Sequence, residues 1–195
     1  MTKIFLIGDS IRFGAGENSP GYGICMKEKL EGIAEVYAPG ENCRFAQHTL
    51  RYLHEWANKV PAKEIDIVHW NNGLWDLLRL CDDPDPFTPL EFYLQTLERI
   101  YRRIRFCFPN AKKIIFAGST PVIEDMGKWG FMRYNSDIVT YNAAAKEMLA
   151  KLGVEYNDLY AVGDAIGREG HSDWVHFNRG GCEVLADAVI KACGL

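Results

Sequence analysis

From Lys3 to Cys193, short apolar runs of strand length alternate with longer segments whose apolar residues recur at helical spacing. This βαβα alternation constrains the chain more than any other feature. Strands running the same way must be joined by crossovers, the crossovers are right-handed, and their helices then cover both faces of a parallel sheet. The predicted strands are Lys3 to Gly8, Ala34 to Tyr37, Ile65 to Trp70, Lys113 to Ala117 and Val154 to Tyr156; their near-continuous hydrophobicity suits burial on both faces. The predicted helices are Tyr22 to Leu30, Thr49 to Ala57, Leu90 to about Phe106, Ile138 to Leu152 and Arg179 to Cys193. In the Leu90 helix, Phe92, Leu94, Leu97, Ile100, Tyr101 and Ile104 fall at helical spacing and are assigned to the core. The expected fold is a flavodoxin-like three-layer α/β/α sandwich with a five-stranded parallel sheet, in which ligands meet the carboxyl ends of the strands.

A chain of 195 residues, 48% of them hydrophobic, has the length and core material of one domain spanning residues 1–195, with no internal repeat and no low-complexity linker. Its 22 Lys and Arg against 26 Asp and Glu give a net charge of -4, and no stretch concentrates enough basic residues to follow a phosphate backbone, so nucleic acid is not an expected partner. No apolar run reaches the roughly 18 residues of a membrane span. The first strand begins almost at Met1, which leaves no room for a signal peptide in this chain and makes the cytoplasm the expected location unless a leader has been removed. Six cysteines without a close Cys-x-x-Cys pair read as reduced thiols rather than a disulfide framework or structural zinc. His48, His54, His69 and His171 lack metal-ligand spacing, and neither a metal nor a cofactor is expected. Two long excursions, Cys81 to Pro89 and Pro121 to Asp137, have the length of functional loops.

Two short motifs carry chemistry. The first strand ends in Gly8-Asp9-Ser10-Ile11, and a hydroxyl at a strand's carboxyl end is well placed as a nucleophile. The same residues also suit a helix cap, and the glycines through Gly16 suit a phosphate loop, although neither Gly-x-Gly-x-x-Gly nor a P-loop pattern is present in register. Near the other terminus, Asp173-Trp174-Val175-His176 pairs a carboxylate with an imidazole three residues apart, close enough to fix the tautomer of the ring. Taken alone the pair is a weak signal, and a plain helix cap by Asp173 or Asn178 is the better reading.

Together, Gly8-Asp9-Ser10 and Asp173-x-x-His176 resemble the first and last blocks of the SGNH (GDSL-type) hydrolase family, over essentially the whole chain. The resemblance implies acyl-ester hydrolysis in which Ser10 attacks the carbonyl, His176 takes and returns the proton, and Asp173 orients His176. The middle blocks depart from the family. On an ungapped reading of Asn71-Asn72-Gly73-Leu74-Trp75-Asp76, Trp75 occupies the place of the Asn that donates to the oxyanion. Asn71 or Asn72 is then the substitute, and Asn71 is preferred because the run is similar to a family variant written His-Phe-Asn-x-Gly-Leu-His-Asp. In Pro39-Gly40-Glu41-Asn42-Cys43-Arg44, the family spacing puts Arg44 where a glycine N–H is usual, with Gly40 as the rival. The oxyanion hole implied by the resemblance is therefore Ser10, Arg44 and Asn71.

The expected substrate is a small-molecule or oligosaccharide ester with a short acyl group, acetyl above all. Trp70, Trp75, Trp129 and Trp174 cluster in sequence around the proposed nucleophile and offer faces for a sugar ring, while Arg133 and Asn135 carry donors for hydroxyls. Trp75, Trp129 and Arg133 are the substrate-binding candidates. The competing functions are a lipase or thioesterase for longer chains, a non-catalytic flavodoxin-like module binding a phosphorylated ligand through Gly8 to Gly16, and a degenerate sugar-binding relative. Nothing in the sequence sets the oligomeric state.

Overall fold

A computed structural model describes every residue except Asp82 and Trp129. In chain order the elements are β1 (Thr2–Ile7), α1 (Ser10–Phe13), α2 (Tyr22–Lys29), β2 (Ala34–Tyr37), α3 (Ala46–Ala57), β3 (Ile67–Trp70), β4 (Arg79–Cys81), α4 (Leu90–Cys107), β5 (Lys113–Ala117), β6 (Gly130–Met132), α5 (Asn135–Ala150), β7 (Glu155–Asn157), α6 (Leu159–Ile166) and α7 (Arg179–Cys193). Five parallel strands form one sheet in the order β2-β1-β3-β5-β7. The helices flank it in two packed groups, α3 with α4 and α5, and α2 with α7 and α6, completing the flavodoxin-like α/β/α sandwich expected from the sequence.

The central strands β1, β3 and β5 are buried because their sequences leave them no polar face. Ile4 through Ile7 and Val68 through Trp70 are essentially sealed from solvent, and Trp70 packs edge-on against Phe116 with ring centroids 4.9 Å apart. Trp70 is thus part of the core and does not join the aromatic cluster expected around the site. The stripe on α4 holds for Leu97, Ile100 and Ile104, whereas Phe92 turns outward and Tyr93 takes the buried position, its hydroxyl donating to the Asn72 carbonyl at 2.7 Å. All six cysteines are free. Among the described residues no helix is long and apolar enough to cross a membrane.

The strand order puts the topological switch between β1 and β3: the chain leaves β1 for the β2 edge and later returns on the other side to build β3, β5 and β7. Loops leaving β1 and β3 therefore diverge, and a crevice opens at their carboxyl ends. Above this end, β4 and β6 pair antiparallel, Arg79 opposite Met132 and Cys81 opposite Gly130. This ribbon stitches together the two long excursions. It is held to the start of α5 by a paired Arg79 to Asp137 contact, Nε to Oδ2 and Nη2 to Oδ1, each at 3.0 Å.

Candidate active site

Ser10 opens α1, a single helical turn set directly behind the end of β1. Asp9 caps that turn, its Oδ1 accepting from the Ile11 N–H at 3.0 Å. The carboxyl is fully buried, and burial holds its pKa above the usual range. The glycines of this stretch serve close packing. A Cβ on Gly8 would lie 2.7 Å from Cβ of Arg12, and Gly14, at φ +104°, would drive one to 2.6 Å from the Pro20 carbonyl. Side chains at either position would push α1 off the strand or the following loop off α1.

The loop before α7 brings its histidine onto Ser10. His176 Nε2 lies 2.8 Å from Ser10 Oγ, and His176 Nδ1 lies 2.7 Å from Asp173 Oδ2. An ionised carboxylate can only accept, so Nδ1 carries the proton and Nε2 is left to accept from the hydroxyl. Asp173 is itself fixed: its Oδ1 accepts from the backbone N–H of Val175 and of His176, both at 2.7 Å. Partial burial raises the carboxyl's pKa, but the hydrogen bonds from His176 and Val175 outweigh it and hold the net value below the usual range. Asn178, the other cap candidate, begins α7 and accepts from the Gly181 N–H at 3.0 Å, so capping and pairing are divided between two residues.

The loop after β2 is tied to α1 by Arg12, a buried arginine that no sequence motif singles out. Arg12 donates from Nη1 to the Pro39 carbonyl at 3.0 Å and from Nη2 to the carbonyls of Glu41 at 2.6 Å and Gly8 at 3.3 Å; the Cys43 N–H returns to the Gly8 carbonyl at 3.1 Å. Beside this clamp the chain makes an Asx turn in which Asn42 Oδ1 accepts from the Arg44 N–H at 2.8 Å. Arg44, expected as an oxyanion donor, has its N–H engaged by Asn42, its backbone at φ +52° and its side chain exposed. Gly40 borders a different hollow, between α1, α2 and β2. Asn42, in contrast, faces the same cavity as Ser10, with its Oδ1 committed and its amide Nδ2 free of partners among the described residues.

The asparagines after β3, Asn71 and Asn72, are likewise engaged within the fold. Asn71 Nδ2 donates to the Ala117 carbonyl at 2.9 Å, bracing β5, and Asn72 Nδ2 donates to the Arg44 carbonyl at 3.1 Å and Thr49 Oγ1 at 2.9 Å. Asn71 is a buried cross-link from β3 to the end of β5 and Asn72 one from the loop after β3 to the start of α3, and neither lines the cavity. Asp76 belongs to this scaffold, both its carboxylate oxygens accepting from the Ala46 N–H at 3.1 to 3.2 Å at the start of α3. Burial pushes its pKa up to about 7.

Ser10 and His176 open onto a cavity of about 510 Å³. Trp75, Trp174 and Arg133 stand on its walls, and Leu74, Leu78 and Phe131 supply its apolar surface. Of the three residues expected to contact substrate, Trp75 and Arg133 line the cavity onto which Ser10 opens, and Trp129 lies outside the described residues. Asn135 does not face the cavity, since its amide is spent on the backbone of Val122, accepting from N at 3.0 Å and donating to O at 2.9 Å. Phe131 and Arg133 reach the cavity because β6 is held there by β4.

Residues 6–184 match the GDSL-like lipase/acylhydrolase family. No curated protein matches the sequence. Among solved structures, a lipase/acylhydrolase from Enterococcus faecalis superposes with a TM-score of 0.76 at 21% identity, covering 98% of this chain and 95% of that one. An acetylxylan esterase from Geobacillus stearothermophilus gives 0.73 at 21% identity over 100% and 94%, and the acetyl xylan esterase AlAXEase gives 0.75 at 18% over 97% and 98%. At these identities the likeness is one of fold.

Proposed function

Because the chain belongs to the GDSL-like lipase/acylhydrolase family and is a carboxylic ester hydrolase, we propose that Ser10, His176 and Asp173 are its catalytic triad. The observation that carries this reading is the unbroken relay from Ser10 Oγ through both ring nitrogens of His176 to Asp173. Ser10 attacks the ester carbonyl as Nε2 of His176 takes its proton, and Asp173 stabilises the imidazolium so formed. His176 then protonates the departing alcohol. Water, deprotonated by the same imidazole, releases the acid from Ser10. The negative charge on the tetrahedral oxygen falls to the Ser10 backbone N–H, which has no acceptor among the described residues, and to Nδ2 of Asn42.

The substrate in this proposal is a short acyl ester, acetyl first, on a hydroxyl-rich alcohol. Trp75 and Trp174 on the cavity wall support it, as stacking faces for a ring, and two structural neighbours bear names that assign them acetylated xylan. Leu74, Leu78 and Phe131 favour a second reading, a longer acyl chain lodged against the apolar wall. A panel of p-nitrophenyl esters from acetate to decanoate, run beside acetylated sugars, decides between them by chain-length preference. Ser10→Ala and His176→Ala should each remove nearly all turnover, with the double variant barely worse than either, because triad members act as a unit. Substantial turnover by purified Ser10→Ala would end the triad assignment.

A further inference from the structure

Arg133 is only 8% exposed, yet it makes no salt bridge among the described residues, and the attraction it feels from Asp9 and Asp173 acts from farther off. Its Nε donates to the Leu74 carbonyl, and its guanidinium carbon lies 5.3 Å from the centre of the Trp174 ring, so the group is fixed at its base and along one face. No described residue takes a hydrogen bond from the two terminal amines, and the side chain borders the cavity that holds Ser10. The two carboxyls, Asp9 and Asp173, attract it only from beyond ion-pair distance. Asp173 accepts from His176 and Val175, and the buried Asp9 caps α1 through Oδ1, its Oδ2 having no hydrogen-bond partner among the described residues. Burial lowers the guanidinium's pKa to about 10, so it still carries its charge at neutral pH. Lys128 stands at the cavity's edge, and no Asp or Glu borders the cavity among the described residues. A protein of net charge -4 has therefore built its ester cavity with cations alone.

A buried cation that no carboxylate contacts is costly, and the cost is relieved when a ligand brings an anion into direct contact. We propose that Arg133 is a substrate-charge site, and that the ester this enzyme cleaves carries a carboxylate, which pairs with the terminal amines of Arg133 while the ester carbonyl lies at Ser10. The proposal rests on the Ser10 triad and adds to it the class of the substrate: an acylated hydroxy acid, such as an acidic sugar, or an acid monoester. Two parallel N–H donors on a planar fork match the two oxygens of a carboxylate, whereas a neutral hydroxyl leaves the charge unpaired. Trp174 holds the fork in place for this contact through cation–π attraction.

The test compares charged and neutral esters of nearly the same shape. For an anion on the alcohol side the pair is p-acetoxybenzoate and its methyl ester; for an anion on the acyl side it is mono-p-nitrophenyl glutarate and p-nitrophenyl pentanoate. Wild-type enzyme should favour the charged member of one pair by roughly 10- to 100-fold in kcat/KM, the range of a hydrogen bond to a charged group, and the pair that shows it locates the carboxylate. Arg133→Met should bring that ratio close to one, and Arg133→Lys should keep part of it. A wild-type preference for the neutral member of both pairs, or a ratio that survives Arg133→Met, overturns the proposal. Should Arg133→Met fail to fold, inhibition of wild-type enzyme by benzoate and benzamide decides: benzoate should bind at least about tenfold tighter, and equal inhibition is the refuting result. Ser10→Ala is assayed in parallel on the neutral esters, so that loss of the triad reading and loss of the charge reading remain separate outcomes.

Discussion

Residues 42 and 44 show how one hydrogen bond reassigns a role. Asparagine readily closes a turn by accepting from the N–H two residues on, and Asn42 does so with Arg44. That bond removes the Arg44 N–H from any oxyanion and turns the Asn42 amide toward the cavity. Asn42→Asp keeps the acceptor and deletes the donor, so it should lower kcat by roughly 10² to 10³ with the melting temperature near that of the wild type. Asn71→Ala should behave in the opposite way, costing about 1–3 kcal/mol of stability through the orphaned Ala117 carbonyl while the folded enzyme keeps its kcat. Steady-state kinetics and denaturant melts on both variants check this, and a fall in kcat confined to Asn71→Ala would return the oxyanion role to Asn71. The turn-forming habit of Asn-x-Arg was legible in the sequence. The direction of its free amide was not, because that depends on where Ser10 lies across the crevice.

Elements fail to declare themselves when they are short or capped from afar. α1 has four residues and β4 and β6 three each, too few for any period to show. The start of α3 is instructive: periodicity places it at Thr49, but the helix begins at Ala46, with no side-chain cap from Phe45, because Asp76 reaches across 30 residues to accept the Ala46 N–H. Arg12 plays a comparable part for α1, binding it to the loop after β2 through one buried and one part-buried carbonyl of that loop. Arg12→Met keeps most of the volume but leaves those carbonyls unpaired, and it should destabilise the protein by about 2–4 kcal/mol. Because the clamp sets Ser10 against Asn42, kcat of the folded enzyme should fall as well. Denaturant midpoints measured beside kcat test this; a loss of stability with kcat intact would make Arg12 a purely structural clamp.

Across the whole molecule, two buried titratable groups shape stability against pH in opposite senses. His69, at the centre of the sheet, accepts from Asn157 and is kept neutral by burial, which lowers its pKa from 6.5 to about 3. Its contribution is fully present above about pH 6.5 and is lost as pH falls toward 3, by an amount on the order of several kcal/mol. Asp76 runs the other way. Its folded pKa of about 7 exceeds the usual 3.8, so its contribution is intact below the latter value and declines as pH rises through the former. In denaturant titrations, His69→Gln should therefore flatten the acid limb and Asp76→Asn the limb between about pH 4 and 7; unchanged limbs would mean that other groups set them. The same division separates what the sequence decided from what only the fold decided. Local pattern specified the five strands, the longer helices and the two end motifs, because apolar periodicity and residues three apart act over one or two turns of chain. Sheet order, the cross-link by Asn71, the outward turn of Phe92 and the unpaired charge of Arg133 came from the tertiary structure. Each depends on a neighbour remote in the chain, as Ser10 and His176 meet across 166 residues, and only the packing of the sheet and its helices brings such neighbours within hydrogen-bond range.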